Sequence, residues 1–501
     1  MKKIGIDLGT TNTVVTINDN DQIKIIPIDN DHLVPSVFYY NEKRKIKLVG
    51  KRAKNRGLMD PDNYIKSTKR SIDSPEKKFT ASNKTFSSED IAVEILSKVK
   101  EAIYQYLGHE EKIEAVITVP NNFTTNAVEN TKNAGIRAGF SKVETLKEPI
   151  ASVLAYGEKI RPDNHAIYFV CDFGGGTFDI AVIKYDGSEY EVIATGGNEK
   201  LGGDDFTNAM IDYLNDQIME KEALDYSLES IEDNALLKMV YDSDVTYQRT
   251  KAKIAQKAET AKLALSYETS VNVAIGELCV KDNQSVIFEC DISSVDFNQY
   301  PKVKRLWRDY QEAIEEVIEK LKREDIGTSD IDHVIFVGGS MNLPEAKRIV
   351  QELIPANILE DNLDTIVAIG ASSKMTTTKQ IIPRVNFNLG LKVEGDKISV
   401  IIPEQSKYPI EASKMYTTIY DNQKEISFEV YEGNAIDNVY DCKNHWLGKL
   451  ILNGIEQTNA GEARVKVTFS LNQEGILKIT AVDLSNNHQV NTELNWQELK
   501  Y

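Results

Sequence analysis

Residues 166–183 read AIYFVCDFGGGTFDIAVI: an apolar run, an aspartate, a glycine-rich turn closing on a threonine, and a second apolar run. Residues 166–171 and 180–183 have the length and β-branched content of buried strands, so Asp172-Phe173-Gly174-Gly175-Gly176-Thr177 reads as the turn between them. The chain opens in the same way. Residues 4–7 predict a strand, Gly9-Thr10-Thr11 a turn, and residues 13–17 a second strand. Two copies of strand, Asp-x-Gly turn and strand predict a duplicated α/β architecture with two lobes around one site. A further apolar strand, residues 333–337, runs into Gly338-Gly339-Ser340.

Such turns carry a particular chemistry. A glycine-rich turn straight after a buried strand exposes backbone N–H groups, and phosphate is their natural partner. Magnesium prefers one or two carboxylates with water and phosphate oxygens, so Asp7 and Asp172 facing each other suit a magnesium nucleotide. Thr10, Thr11 and Thr177 could add hydroxyls, and the glycines let backbone approach the phosphates. A lone Asp-x-Gly-Thr is an ordinary turn; two copies and a third Gly-Gly-Ser are not an accident of composition. G-x-x-x-x-G-K-[ST] does not occur, nor does a G-x-G-x-x-G opening a helix, which excludes a P-loop and argues against a dinucleotide fold.

Working outward, residues 89–107 place Ile91, Ile95, Val99 and Ile103 on one helical face, with Ser87 and Ser88 as N-cap candidates. Residues 115–119 predict a strand ending at Pro120; residues 124–138, much of 204–266 including 251–265, the segment after Pro344, and 364–375 read as helical. From about residue 379 the texture changes to period-two alternation, as in 424–430 and 463–469, separated by turn residues such as Asp421-Asn422 and Glu432-Gly433-Asn434. That pattern predicts a β-sandwich.

The whole-chain numbers set bounds. With 501 residues the prior is about three domains. Hydrophobic residues at 41% and charged residues at 27% describe an ordinary globular chain. Lys+Arg 59 against Asp+Glu 77 leaves −18, which argues against nucleic acid or an anionic membrane as a partner. Cys171, Cys279, Cys290 and Cys442 show no C-x-x-C spacing, and Cys442 with His445 is a single pair, so neither zinc nor a disulfide framework is expected. Asp7 and Gly9 interrupt the N-terminal apolar run, no signal peptide is expected, and no 18-residue apolar stretch occurs. A cytoplasmic location is the expectation.

Ile4-Gly5-Ile6-Asp7-Leu8-Gly9-Thr10-Thr11-Asn12 resembles the opening of the heat shock protein 70 (DnaK-like) chaperones. AVITVP (115–120), KEPIASVLAYG (147–157), DFGGGTFDIAVI (172–183) and FVGGSMNLP (336–344) resemble the same family in the same order. LGGDDF (201–206), NLDTIVAIGAS (362–372) and LNQEGILKITAVD (471–483) add to the resemblance. It implies an actin-like, ribonuclease-H-like ATPase domain of two lobes over 1–378, a linker over 379–386, and a β-sandwich over 387–501 that binds unfolded or extended peptide. It implies ATP/ADP and magnesium, slow hydrolysis to ADP and phosphate, a nucleotide-exchange factor as partner, and a role in the stress response. By position, Asp7 and Asp172 would organise magnesium through water. Gly9, Thr10, Thr11, Asn12, Gly174, Gly175, Gly176 and Thr177 would hold phosphates. Gly202, Gly203, Gly338, Gly339, Ser340 and Asp364 would complete the nucleotide site. Glu259, Lys262 and Ser266, spaced to share one helical face, would meet ribose and adenine. Lys69 would reach the γ-phosphate and attacking water, with Glu148, Asp172, Thr177 and Asp179 as the rest of the catalytic set.

The departures from the family are as specific. The arginines that flank adenine fall on Leu263 and Asn342, removing planar cationic stacking and predicting weaker or reoriented nucleotide. Pro120 is kept, but Val128 and Glu144 stand where the family has arginines, which argues against J-protein docking. Lys379-Gln380-Ile381-Ile382-Pro383-Arg384 is basic at both ends where the family linker has leucines between aspartates, which argues against its usual interdomain signalling. Glu394-Gly395-Asp396-Lys397 replaces a methionine-rich loop at the peptide cleft. The family's helical lid is not expected, because residues 496–501 leave no room for it, and bound peptide should then exchange quickly. Three readings follow: a peptide-binding ATPase chaperone, a nucleotide-regulated module serving one dedicated partner, and a small-molecule kinase, the last disfavoured by Lys69, Glu148 and the β-rich region.

Overall fold

A computed structural model describes residues 2–493 apart from 20–21, 75, 161–164, 282–283, 376, 378, 442–443, 474 and 487–488. Cys442 and the terminal 496–501 stretch therefore lie outside the described residues. The fold is mixed α/β with several sheets.

The strand Lys2–Leu8 lies parallel to Ile113–Val119, which is parallel to Lys142–Lys147; on its other side come Asn12–Asp19 and then Gln22–Ile25, each antiparallel to the strand before it. The second sheet repeats this plan. Ala166–Phe173 is parallel to His333–Val337, which is parallel to Asn357–Leu359, and is followed by antiparallel Phe178–Tyr185 and Glu189–Asn198. Both Asp-x-Gly turns join the central strand of a sheet to its antiparallel neighbour, with the same four-residue loop between Leu8 and Thr13 and between Phe173 and Phe178.

Helices Glu148–Ile160 and Ile366–Ser373 bring the two sheets together. Tyr168, Val170, Ile335 and Val337 of the second sheet pack with Ile150, Leu154, Ile366 and Val367 of the helices and Val116 of the first sheet. The helices cross so closely that a Cβ on Gly370 would lie 1.7 Å from the Ala151 carbonyl. Thr16 Oγ1 of the first sheet donates to the Ala368 carbonyl at 2.7 Å. The outer face of the first sheet is covered by Ser88–Leu107, which buries Ile91, Ile95, Leu96, Val99 and Ile103. Each such side chain contributes roughly 1.5–3 kcal/mol. Ser87 Oγ accepts from the Asp90 N–H at 3.1 Å and Asp90 Oδ2 accepts from the Ser87 N–H at 3.0 Å, so Ser87 caps this helix. Losing that cap would cost about 1 kcal/mol.

The period-two region gives two four-stranded antiparallel sheets. One holds Lys397–Ile402, Asn388–Val393, Glu425–Gly433 and Asn444–Asn453; the other holds Ile410–Tyr416, Val465–Leu471, Leu477–Asp483 and Gln489–Glu493. Leu391, Val430 and Leu450 of the first share one apolar cluster with Val467, Phe469 and Ile479 of the second. The hairpin Ser270–Lys281 with Gln284–Ser293, absent from the sequence reading, forms a sheet of its own. Among the described residues no helix is long and apolar enough to cross a membrane.

Candidate functional site

The two duplicated turns interlock. A Cβ on Gly175 would fall 1.8 Å from Thr11 Oγ1, and one on Gly176 would fall 2.4 Å from Thr10 Oγ1. The threonines of the first turn thus occupy the space that the glycines of the second leave open. Gly202 packs on the Gly175 carbonyl and Gly203 on Ser340 Oγ, with hypothetical Cβ distances of 2.5 Å in each case. Ser340 Oγ donates to the Gly174 carbonyl at 2.8 Å, and a Cβ on Gly339 would lie 2.9 Å from Asp364 Oδ1. Gly338 has φ +85°, a conformation that favours glycine. Gly9, Thr10, Thr11, Gly174, Gly175, Gly176, Gly202, Gly203, Gly338, Gly339, Ser340 and Asp364 therefore form one continuous cradle. Asn12 is the first residue of the strand leaving the first turn.

Carboxylates crowd the floor of this cradle. Burial and Glu148 push Asp7 up to about 7, even though Thr118 Oγ1 donates to it at 2.9 Å. Asp172, buried beside Glu148, Asp179 and Asp7, is raised well above the usual carboxylate range. Asp179 is fully buried; burial, then Glu148, push it up to about 6 against the opposing pull of the Thr177 hydroxyl and the Asn122 N–H at 3.0 Å. Against these stands Lys69, whose Nζ donates to Glu148 Oε1 at 2.8 Å with both side chains about one-tenth exposed. Like charges held close in a poorly solvated pocket favour an added cation. Among the described residues no three His, Cys, Asp or Glu side chains converge to hold a metal alone. The donor set thus fits magnesium, which takes few carboxylates and keeps water and phosphate oxygens.

The side expected to hold ribose and adenine differs in part from the reading. Glu259 and Lys262 lie on helix Asp244–Ala264, but Ser266 lies beyond its end, in a turn where its N–H bonds the Leu263 carbonyl. Ser266 thus sits two residues past Ala264, the last residue of the helix that carries the other two. Glu259 is paired with Lys54 at 3.1 Å, and Lys262 Nζ donates to the Gly203 carbonyl at 2.9 Å. Leu263 is half exposed, and Asn342 Nδ2 donates to the Gly339 carbonyl at 3.0 Å.

Several residues at the site were not singled out by the sequence. Arg70 Nη2 meets Asp205 Oδ2 at 2.6 Å, and the same carboxylate oxygen accepts from the Gly202 N–H at 2.8 Å. Ser67 Oγ donates to Asp204. The paired acids at the start of helix Gly203–Glu222 were the available signal, since carboxylates there answer free N–H groups. Nothing local pointed to Arg70 as their partner.

The stretch read as a linker adds a sixth strand to the second sheet, Gln380–Ile382 running parallel to Glu189–Asn198. Its basic ends have partners: Lys379 Nζ lies 4.1 Å from the Tyr185 ring centroid, and Arg384 Nη2 lies 3.0 Å from Glu191. Beyond it, Glu432 Oε1 accepts from the Thr125 N–H at 3.1 Å and Oε2 from the Thr125 hydroxyl at 3.0 Å, at the start of helix Thr125–Arg137. A cavity of about 330 Å³ at this boundary is lined by Phe123, Val128, Glu144, Lys147, Arg384 and Glu432, among others.

The sequence matches the family described as "Hsp70 protein" over residues 3–499. It is 31% identical over 497 residues to the Chaperone protein DnaK of Thermotoga neapolitana, an alignment covering 96% of this chain and 78% of that protein. It is likewise 31% identical over 492 residues to the Chaperone protein DnaK of Halobacterium salinarum, covering 96% and 73% respectively. The Chaperone protein DnaK of Metamycoplasma hominis gives 31% over 498 residues, covering 97% and 78%.

Proposed function

The chain belongs to the Hsp70 family, and from that premise we propose that it is a chaperone that binds and slowly hydrolyses ATP. In this reading residues 1–378 are a two-lobed, actin-like ATPase domain, 379–386 the linker, and 387–501 a β-sandwich that holds unfolded or extended peptide segments. A nucleotide-exchange factor is the expected accessory partner, and the cytoplasm the expected location.

The interlocked turns bind and orient the phosphates through backbone N–H groups and the Thr10, Thr11 and Thr177 hydroxyls. Asp7 and Asp172 would hold magnesium through water, which when bound neutralises charge on the phosphates. Lys69 neutralises charge at the γ-phosphate, and its orientation is fixed by Glu148 at 2.8 Å. Asp179, held by the Asn122 amide, and Glu148 orient the attacking water and take up its proton. Positioning and charge neutralisation supply most of the catalysis in such transfers.

One observation carries this reading: a buried Lys69–Glu148 pair stands beside Asp7, Asp172 and Asp179 at the interlocked glycine turns. Lys69→Ala should abolish most magnesium-dependent ATP hydrolysis while leaving ADP affinity nearly intact; turnover that survives the substitution sinks the catalytic assignment. A second reading, a nucleotide-regulated module with one dedicated partner, is favoured by Val128 and Glu144, which line the boundary cavity where the family has arginines. Unfolded peptides of varied sequence should raise turnover under the first reading. None should under the second.

A further inference from the structure

Lys147 ends the strand Lys142–Lys147 and directly precedes Glu148. Pairing with Val119 sets it beside the turn that follows the neighbouring strand. Its Nζ donates to the Asn121 carbonyl at 2.8 Å and the Pro120 carbonyl at 3.3 Å, with the Phe123 carbonyl at 3.5 Å. An ammonium has three donors, so converging carbonyls grip it and it grips them.

That turn is held at two further points. In the second sheet, the Asn122 N–H donates to Asp179 at 3.0 Å and its side chain to the Gly196 carbonyl at 3.3 Å. In the β-rich region, Glu432 accepts both donors of Thr125, where the turn becomes a helix. Glu432 is almost fully buried, and burial pushes it up to about 7, with Thr125 and Lys147 opposing and Asp73 adding to the rise. Burial pushes Lys147 down to about 8, while Asp179, Glu432, Glu148 and Glu199 oppose that shift. Each charge therefore sits where the other offsets part of its desolvation.

Resting on the ATPase reading above, we infer that Lys147 is a positioning residue for hydrolysis. It clamps the 120–125 turn so that the Asn122 amide holds Asp179, and Glu432 completes the clamp from the β-rich region.

The test is steady-state ATP turnover of the full chain. Lys147→Met keeps the length but removes the donors and the charge. Its kcat should fall about tenfold, with KM for ATP nearly unchanged, because the phosphate contacts run through other residues. Lys147→Arg should recover most of that loss. Glu432→Gln keeps an acceptor for Thr125 without the charge and should lower kcat about threefold. The double variant should be no slower than Lys147→Met alone. Unchanged kcat in Lys147→Met, a rise in KM matching the fall in kcat, or additive losses in the double variant would overturn the inference. If Lys147→Met does not fold, Glu432→Gln decides: lower kcat at constant KM supports the clamp, and unchanged kcat overturns it. Lys69→Ala separates the two levels. Full activity there ends the catalytic assignment on which the clamp rests, whereas loss there beside an unaffected Lys147→Met ends only the clamp.

Discussion

The two duplicated turns have the same loop length and the same place in their sheets, yet they have diverged in complementary directions. The first turn puts Thr10 and Thr11 where the second has Gly175 and Gly176, and the hydroxyls of one fill the space left by the other. The difference is larger one step along the strand. Asp7 faces Val14 across the first hairpin, whereas Asp172 faces Asp179 across the second. One copy therefore contributes a single carboxylate and the side chains that fill the interface; the other contributes two carboxylates and a nearly bare backbone. A duplicated frame can specialise its halves without changing the strands that flank each turn.

The largest effect should come from forcing the copies to match in the wrong direction. Val14 is about 1% exposed, so Val14→Asp buries a carboxylate without a partner. The cost should be about 3 kcal/mol or more, read as a lower urea midpoint, with no gain in turnover. Making the second copy resemble the first, by Asp179→Val, should lower turnover at least about a hundredfold, some 2.7 kcal/mol, while leaving the fold intact. Turnover within threefold of the unchanged chain would mean that the copies are functionally equivalent at this position.

The interlock itself can be strained. Gly175→Ala drives a Cβ into Thr11, whereas at Gly174 the nearest atom to an added Cβ is 3.7 Å away. Nucleotide affinity should fall about tenfold for the first and less than about twofold for the second, measured by titration with ADP. Equal losses would show that the space is not shared between the turns.

The smallest effect reaches the comparison indirectly, because only the second copy's Asp179 is held by the turn that Glu432 contacts. Glu432 is raised from its ordinary 4.5 to about 7 when seated against Thr125. The seated form therefore binds the extra proton: its added stability is complete below about 4.5 and is lost as pH rises to about 7. Amide protection of Thr125, whose N–H donates to Glu432, corrected for intrinsic exchange, should fall several-fold between pH 5 and 7. Glu432→Gln should flatten that slope; an unaltered slope assigns the pH dependence elsewhere.

Much of the frame was legible in the sequence because its signals are local. Apolar runs around Asp7 and Asp172 mark strands, glycines mark the turns, and of the two N-cap candidates Ser87 caps the helix that follows. Residues 333–337 read as a strand, and the strand His333–Val337 has those bounds. Ser266 falls just past the end of the helix, because spacing alone does not say where a helix stops. Lys147, Arg70 and Glu432 carried no local signal at all. Lys147 was read only as the first residue of KEPIASVLAYG, and Glu432 as one residue of a turn cluster.

The duplicated strand–turn–strand frame and the change to period-two alternation near residue 379 are written in residues within a few positions of one another, and the family in a series of such stretches along the chain. Which threonine fills the space over which glycine, that Arg70 meets Asp205, and that Glu432 meets Thr125 across 307 residues of chain follow from the packed fold alone. The reason is physical. Strand period and turn conformation follow from backbone geometry over a few residues, whereas a partner for a buried charge depends on where the sheets and helices finally stack.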